Sequence, residues 1–284
     1  DSTSVKLTAG EHVLTFVQQT TDERSSRGND GNMLDLQSIH SQVSPYRRHI
    51  WLVAAPKSGS TWLGAMLLDA LKWPRVPLLE WYDRREQEVD PRMLLQHPNE
   101  DIFTPHQHTR ASQPTINIIN LFRIIPIVLV RNVFDTVISL YDHLHKEANI
   151  IPWGYFDEPF YTFDKEKQLS AIVDLCVPWF FNFYVSWYKS GVNGLCNLHW
   201  TTYEELTDDP FKCVKDVLEF AGISKTDDEI AGAVGIEQGS ETEKTRKNVG
   251  IKGRGESTLN EEQQARIRKY AEYYPDVDFS RMGL

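Results

Sequence analysis

The tract from Ile50 to Pro74, "IWLVAAPKSGSTWLGAMLLDALKWP", limits the fold more than any other in this 284-residue chain. His49 to Ala55 is a short, apolar, β-prone run that stops at Pro56, and Ser60 to Leu71 then carries helical periodicity up to Pro74. A buried strand, a Ser/Gly loop and a helix in that order put backbone N–H groups at a helix N-terminus, with Gly59 permitting close approach. Pro56-Lys57-Ser58-Gly59-Ser60-Thr61 adds hydroxyl donors and one ammonium, a set that fits a phosphate or sulfate. Taken alone, the loop reads equally well as a cap in which Ser58 or Ser60 satisfies orphan N–H groups. Its spacing departs from GxxxxGK[ST], because Lys57 precedes the glycine.

The pattern recurs downstream. Ile124 to Val130 is an apolar run of strand length, Arg131-Asn132 is a turn, and Val133 to Ala148 reads as a helix. Pro126 suits a central strand poorly, so the strand is expected to begin at or just after it. Leu169 to Ser190 is helical and aromatic-rich, with a kink or break expected at Pro178. Leu195 to Thr202 is another strand, Pro210 to Ala221 a helix that starts at a proline, and Leu259 to Tyr273 the last helix. Strands alternating with helices predict a single α/β domain over residues 1–284, with a central parallel sheet flanked by helices and ligands at the carboxyl ends of the strands. Gln18 to Asn32, without apolar periodicity, reads as a mobile loop or arm.

Composition narrows the partners. A net charge of −10 argues against nucleic-acid binding, which wants a basic face, so any anion site must be local. Cys176, Cys196 and Cys213 are odd in number and lack metal-type spacing, which suggests neither a disulfide framework nor a structural zinc and favours a reducing compartment. The apolar runs near 50–55 and 124–130 are shorter than a membrane span, and the polar start carries no signal-peptide pattern, so the expected location is cytoplasmic with no membrane partner.

Arg131 sits where strand passes to helix, and Ser139 lies about two helical turns on, so both can converge on one anion; the Arg fork suits bidentate contact with phosphate. "PKSGSTW", "RNVFDTVIS", "YEEL…DDP" and a late "TRK" together resemble the soluble, small-molecule sulfotransferases that use 3′-phosphoadenosine 5′-phosphosulfate (PAPS) and release adenosine 3′,5′-bisphosphate (PAP). The resemblance spans roughly residue 48 to the end. It implies that Lys57, Ser58, Gly59, Ser60 and Thr61 hold the phosphosulfate in a P-loop-like strand-loop-helix site, that Trp62 borders the adenine and Tyr203 lies near it, and that Arg131 and Ser139 hold the 3′ phosphate. It also assigns Arg246, Lys247 and Gly250 to a basic segment closing over that phosphate. Asn248 and "GIKGRG" depart from the family pattern there, so Lys252 or Arg254 could share the work. The stretch after residue 221 is shorter than in the animal cytosolic enzymes, which leaves further adenine contacts unassigned.

In-line sulfuryl transfer needs a base for the acceptor proton and positive charge on the leaving oxygen. Lys57 and the loop amides can supply the charge, without a metal site. "FTPHQHTRAS" offers two bases near neutrality: His108, which matches the family histidine by its distance from Arg131, and His106 in reserve. His97, His143, His145 and His199 read as structural. For the acceptor pocket the expectation falls on Trp81, Tyr82, Trp153, Tyr155 and Phe156. Glu80, Asp83, Glu86, Glu88 and Asp90 lie beside the first two, so a cationic amine or guanidinium competes with a phenol or alcohol. A P-loop kinase or nucleotide hydrolase using ATP and magnesium is the alternative enzyme; Lys57 is misplaced for it and the second strand ends in Arg131 rather than an acid. A non-catalytic nucleotide-binding protein is a third reading. Arg254 to Gln263 matches the animal dimer motif outright only at Thr258, leaving the oligomeric state open.

Overall fold

The computed structural model describes residues 4–9, 12–17, 36–79, 88–146, 150–151, 154–239 and 252–284. It divides into two units, residues 1–34 and 35–284. In the first, β1 (Ser4–Ala9) and β2 (His12–Val17) pair antiparallel, with Ser4 opposite Val17 and Ala9 opposite His12. The loop or arm expected around 18–32 lies outside the described residues.

The second unit runs α1 (Leu36–Gln42), β3 (His49–Ala54), α2 (Ser60–Leu71), β4 (Ile102–Gln107), α3 (Gln113–Phe122), β5 (Ile124–Val130) and α4 (Val133–Lys146). A short ribbon follows, β6 (Ile150–Ile151) with β7 (Gly154–Tyr155), and then α5 (Glu158–Thr162), α6 (Lys165–Val192) and β8 (His199–Thr202). The remainder is helical: α7 (Tyr203–Asp208), α8 (Pro210–Phe220), α9 (Asp227–Gly239), α10 (Arg254–Thr258) and α11 (Glu261–Glu272). β4, β3, β5 and β8 form a parallel sheet in that order. The chain starts at β3, places β4 on one side and β5 on the other, and so reverses direction between β3 and β5. Such a switch point opens a crevice at the carboxyl ends of the two strands.

Side-chain alternation sorts the core. Trp51, Val53, Val128 and Val130 face α3, α4 and α6, whereas Ile50, Leu52, Ala54, Ile127 and Leu129 face α2, α8 and α9. Burial on both faces explains the continuous apolar runs in β3 and β5. Trp51 and Trp187 meet edge to face at 6.0 Å, which anchors α6 on the sheet.

The expectation that β5 begins at or after Pro126 fails, and so does that of a break at Pro178, each for a local reason. Pro126 lies inside β5, which begins at Ile124. The Leu129 carbonyl points toward β3, accepting from Ala55 N–H at 2.9 Å, so alternation turns position 126 the other way, toward β8, whose pairing starts only at Ile127 with His199. No ladder bond is lost. Pro178 sits within α6, which continues through it for 28 residues; burial of Cys176, Val177, Phe180 and Phe181 around it offsets the missing hydrogen bond. α6 is also, among the described residues, long and apolar enough to cross a membrane by length and composition, a candidate the sequence reading passed over; half of that apolar window is buried inside the protein.

Candidate functional site

The loop after β3 bends through two left-handed residues, Lys57 at φ 63° and Gly59 at φ 89°. Ser58, fully buried, donates its hydroxyl to the Ala55 carbonyl at 2.5 Å and lies 3.4 Å from the Leu129 carbonyl, tying the loop to both central strands. α2 then starts without a side-chain cap on its N-terminus. Trp62 and Leu63 N–H both reach the Gly59 carbonyl at 3.0 Å, whereas helix geometry leaves the amides of Ser60 and Thr61 with no preceding helix carbonyl. Gly59 is required sterically as well, since a Cβ there would lie 2.8 Å from the Tyr203 ring. Ser60 is buried, Thr61 is half-buried, and Trp62 is buried in the core between α2 and α8.

At the end of β5, Arg131 is 9% exposed along its side chain. Nη1 donates to the Lys57 carbonyl at 3.3 Å, the guanidinium stacks 4.1 Å over the Tyr203 ring, and Nη2 lies 3.8 Å from Asp135. The buried Nε has no hydrogen-bond partner among the described residues. Residues called separately from the sequence, in the 57–61 loop, at Arg131 and at Tyr203, thus converge at the switch point. Asn132 closes the start of α4, its Oδ1 accepting from Phe134 N–H at 2.9 Å and Asp135 N–H at 3.2 Å. Its own N–H donates to Glu204, whose carboxyl is pushed up in pKa by burial against the opposing pull of its own amide, the Asn132 amide and Arg131.

Arg131, Asp135, Ser139 and Asp142 follow the i, i+4, i+8, i+11 rhythm of one helix face. Along that face the chain returns: buried Asp135 accepts from Gly253 N–H at 2.9 Å and Gly255 N–H at 2.7 Å, and Asp142 takes both terminal nitrogens of Arg254 at 3.1 Å. A Cβ on Gly255 would lie 2.1 Å from the Phe134 carbonyl carbon, so only glycine fits this backbone crossing. Ser139, buried, lies on the stripe between those anchors. Lys252 donates to the Glu204 carbonyl at 3.0 Å and pairs with Asp208. Of the two cations that could share the anion, Lys252 meets the Asp208 carboxylate and Arg254 the Asp142 carboxylate, pairs that fasten the segment. Arg246, Lys247 and Gly250 lie outside the described residues.

His106 lies in β4 and His108 just past it, two residues apart on the chain, their rings 5.9 Å apart. The residue pattern predicts no strand here, because Thr104-Pro105 interrupts the apolar run of this edge strand. His108 Nδ1 lies 2.8 Å from the Ala54 carbonyl, at the end of β3. A carbonyl only accepts, so Nδ1 carries the proton and Nε2 keeps its lone pair. Although His108 keeps partial solvent access, dense surroundings push its pKa down to about 3, with His106 and Lys57 adding to the effect and the Ala54 bond opposing it. It is a neutral imidazole over the whole physiological range.

Of the other histidines, His97 pairs with Glu100 at 2.8 Å, His145 packs on Tyr141, and His199 lies near Phe220. His143, read from the sequence as structural, instead places Nδ1 3.4 Å from Lys57 Nζ. A signal existed in the i, i+4 spacing from Ser139. Among the expected acceptor residues, Trp81, Tyr82 and Trp153, with Glu80, Asp83 and Glu86, lie outside the described residues. Tyr155 is exposed; Phe156 is buried against Phe160, ring centroids 4.5 Å apart. Asp90 spends its carboxylate on Arg92 and on the start of the short 3-10 helix Pro91–Gln96. The three cysteines are buried as free thiols, and burial pushes Cys176 up to about 12 and Cys196 and Cys213 to about 11, which makes them poor nucleophiles.

The sulfotransferase domain model matches residues 47–270, and this range contains every element of the site. The chain belongs to the sulfotransferase family. Mouse Sulfotransferase 6B1 is 29% identical over 192 residues, covering 64% of this chain and 57% of the relative; the human protein of that name is 28% identical over the same coverage. The chain thus spans little more than half the length of the curated relatives it matches. Among solved structures, mouse sulfotransferase SULT7A1 complexed with PAP superposes with a TM-score of 0.61 at 17% identity, over 87% of this chain and 90% of that one. Retinol dehydratase in complex with androsterone and inactive cofactor PAP gives 0.52 at 11% identity, over 85% and 84%. At these identities the likeness shows a shared fold, with its central parallel sheet flanked by helices.

Proposed function

We propose that this sulfotransferase moves a sulfuryl group from PAPS to a hydroxyl or amino group of a small-molecule acceptor, by one in-line displacement within a single domain. The observation that carries this reading is the junction of the two strand ends, where Arg131 is held by the Lys57 carbonyl and the Tyr203 ring and keeps a buried Nε donor unspent. An orphaned buried donor beside an uncapped helix start fits an anion at each end of one nucleotide. Lys57, the amides from Ser58 to Thr61, and the Ser60 and Thr61 hydroxyls would hold the phosphosulfate. Arg131 and Ser139 would take the 3′ phosphate, and Tyr203 and Trp62 would border the adenine. Arg246, Lys247 and Gly250 would close over the 3′ phosphate from a segment whose far end is fastened by Asp135.

His108 Nε2, the ring nitrogen not given to the Ala54 carbonyl, takes the acceptor proton as the new bond to sulfur forms, with His106 in reserve. The Lys57 ammonium opposes the negative charge that grows on the leaving oxygen. PAPS supplies the activated sulfuryl group when bound; the sulfuryl carries less negative charge than a phosphoryl, so charge from one lysine and the loop amides suffices. Solved neighbours bound to PAP, two of them also to androsterone or retinol, support a nucleotide site and a small apolar acceptor. Trp81, Tyr82, Trp153, Tyr155 and Phe156 are the proposed lining of the acceptor pocket, for a phenol, an alcohol or a cationic amine. We place the enzyme in the cytoplasm.

Thermal shift with PAP, compared with ATP plus magnesium, tests the reading. Ligand linkage predicts a rise of melting temperature with PAP that grows with its concentration, equivalent to about 2.7 kcal/mol at a hundred times the dissociation constant. Stabilisation by ATP plus magnesium alone would instead favour a kinase or hydrolase.

A further inference from the structure

One carboxylate stands between the Arg131 fork and the returning chain. Buried Asp135 accepts from Gly255 N–H at 2.7 Å through Oδ1 and from Gly253 N–H at 2.9 Å through Oδ2, the lengths of charge-assisted hydrogen bonds. The same Oδ2 lies 3.8 Å from Arg131 Nη2, about 1 Å beyond the contact of a hydrogen-bonded Arg–carboxylate pair. In this arrangement the guanidinium donates to the Lys57 carbonyl, packs on the Tyr203 ring and keeps its buried Nε unspent. Two glycine amides thus hold a carboxylate that stands ready for the fork. The flanking pairs, Lys252 with Asp208 and Arg254 with Asp142, fasten the same segment through neither Arg131 nor Asp135.

We propose that Asp135 is a positioning residue with two exchangeable partners. With residues 253–255 seated on it, the Arg131 fork is left open for the nucleotide's anion; with them unseated, Asp135 takes the fork itself. This rests on the reading of Arg131 as the group that grips that anion. A buried carboxylate stripped of two amide donors needs another partner, because an unpaired charge away from water costs far more than a paired one. Arg131 Nη2 is the cation beside it, and a guanidinium fork matches a carboxylate as well as it matches a phosphate. Seating and nucleotide binding therefore favour one another. By reciprocity each strengthens the other by the same factor, for coupled sites typically about 5- to 150-fold.

Gly255→Ala tests it, since the added Cβ would meet the Phe134 backbone and lift the segment off Asp135. Its dissociation constant for PAP, measured by calorimetry, should rise about tenfold, within the range of such couplings. Adding Asp135→Asn removes the competing charge at nearly constant size and should recover most of that loss. Were Asp135 merely structural, the second substitution would leave the loss unchanged or deepen it. Wild-type affinity in Gly255→Ala, or a double variant that binds PAP no tighter than Gly255→Ala, overturns the proposal. Should Gly255→Ala fail to fold, amide hydrogen exchange decides. PAP should slow exchange at Gly253 and Gly255 about tenfold in wild type and by clearly less in Asp135→Asn; equal slowing in both overturns the proposal. Arg131→Ala separates the two readings. If it leaves PAP affinity unchanged, the anion role of Arg131 fails and the proposal with it; if it weakens PAP while the rescue is absent, the exchange at Asp135 alone is overturned.

Discussion

The β3–α2 and β5–α4 junctions start from the same local design and diverge in what they leave unspent. Each is a buried strand, a turn of a few residues and a helix, and the two lie side by side at the switch point of the sheet. α4 is closed by the Asn132 side chain, and α3, α6, α7, α8 and α11 are likewise capped by Ser112, Asp164, Thr202, Asp209 and Asn260. α2 is entered through a left-handed glycine with no such cap, so its first amides stay available. The second junction contributes a side chain instead, Arg131, fixed by the neighbouring loop and by Tyr203, and uses the flank of its helix to fasten the returning chain. One junction thus supplies backbone donors and the other a guanidinium fork. A nucleotide with anions at both ends needs both.

The largest expected effect falls beside the first junction. His108→Ala should lower kcat for transfer by roughly 10²–10⁴-fold, the range for losing a positioned general base, with PAP affinity unchanged because the donor loop is intact. Steady-state kinetics alongside calorimetry with PAP would check it. Greater loss in His106→Ala, with His108→Ala still active, would move the base to His106.

Next comes the second junction. Arg131→Ala removes a buried charged donor, so the dissociation constant for PAP should rise about 10- to 100-fold, with kcat at saturating donor affected less. Arg131→Lys keeps the charge but loses the fork and the stacking on Tyr203, and should fall between. An unchanged dissociation constant in Arg131→Ala would break the comparison, since the second junction would then be scaffold only.

A pH effect on stability follows in size. His108 titrates at about 3 in the folded protein against an ordinary 6.5, and fully buried His49 is also held well below its ordinary value by burial and by Arg47. Between those values the unfolded chain binds protons that the folded chain does not. Stability therefore rises with pH across that window and is lost as pH falls from about 6.5 toward 3, by at most about 1.4 kcal/mol per pH unit for each group. Melting temperature measured across that range should show a shallower slope in His108→Asn than in wild type; equal slopes would remove His108 as a source.

What could be read from the residue pattern was the part governed by local physics. β5 and α2 end where the apolar runs and helical periodicity end, and Arg131 could be placed because strand-to-helix turns put their last residue at a carboxyl edge. β4 was hidden, because Pro105 and His106 break the strand pattern while the edge position tolerates them. α3 and α9 also went unassigned, the former opening at Ser112 and Pro114 in a tract read only for its histidines. The contacts of His143, Asp135 and Gly255 were beyond any local reading, because each is made across more than 85 residues of chain.

The smallest predicted effect concerns the fastening of the returning chain. Lys252 and Arg254 stand in the basic tract, yet only one fastening there is buried. Asp135 accepts two backbone amides at 2% exposure, whereas Lys252 meets an Asp208 side chain that is 74% exposed. Exposed ion pairs contribute about 0–1 kcal/mol, so Lys252→Ala should shift stability by no more than that and leave PAP binding near its wild-type value. Asp135→Ala strands two amides and should cost more, since a buried donor left unpaired costs about 1–3 kcal/mol. Melting curves with and without PAP would separate the two. If Lys252→Ala instead weakens PAP binding as much as Arg131→Ala does, the lysine works on the anion rather than on the fastening, and the division of labour between the two junctions must be redrawn around α7.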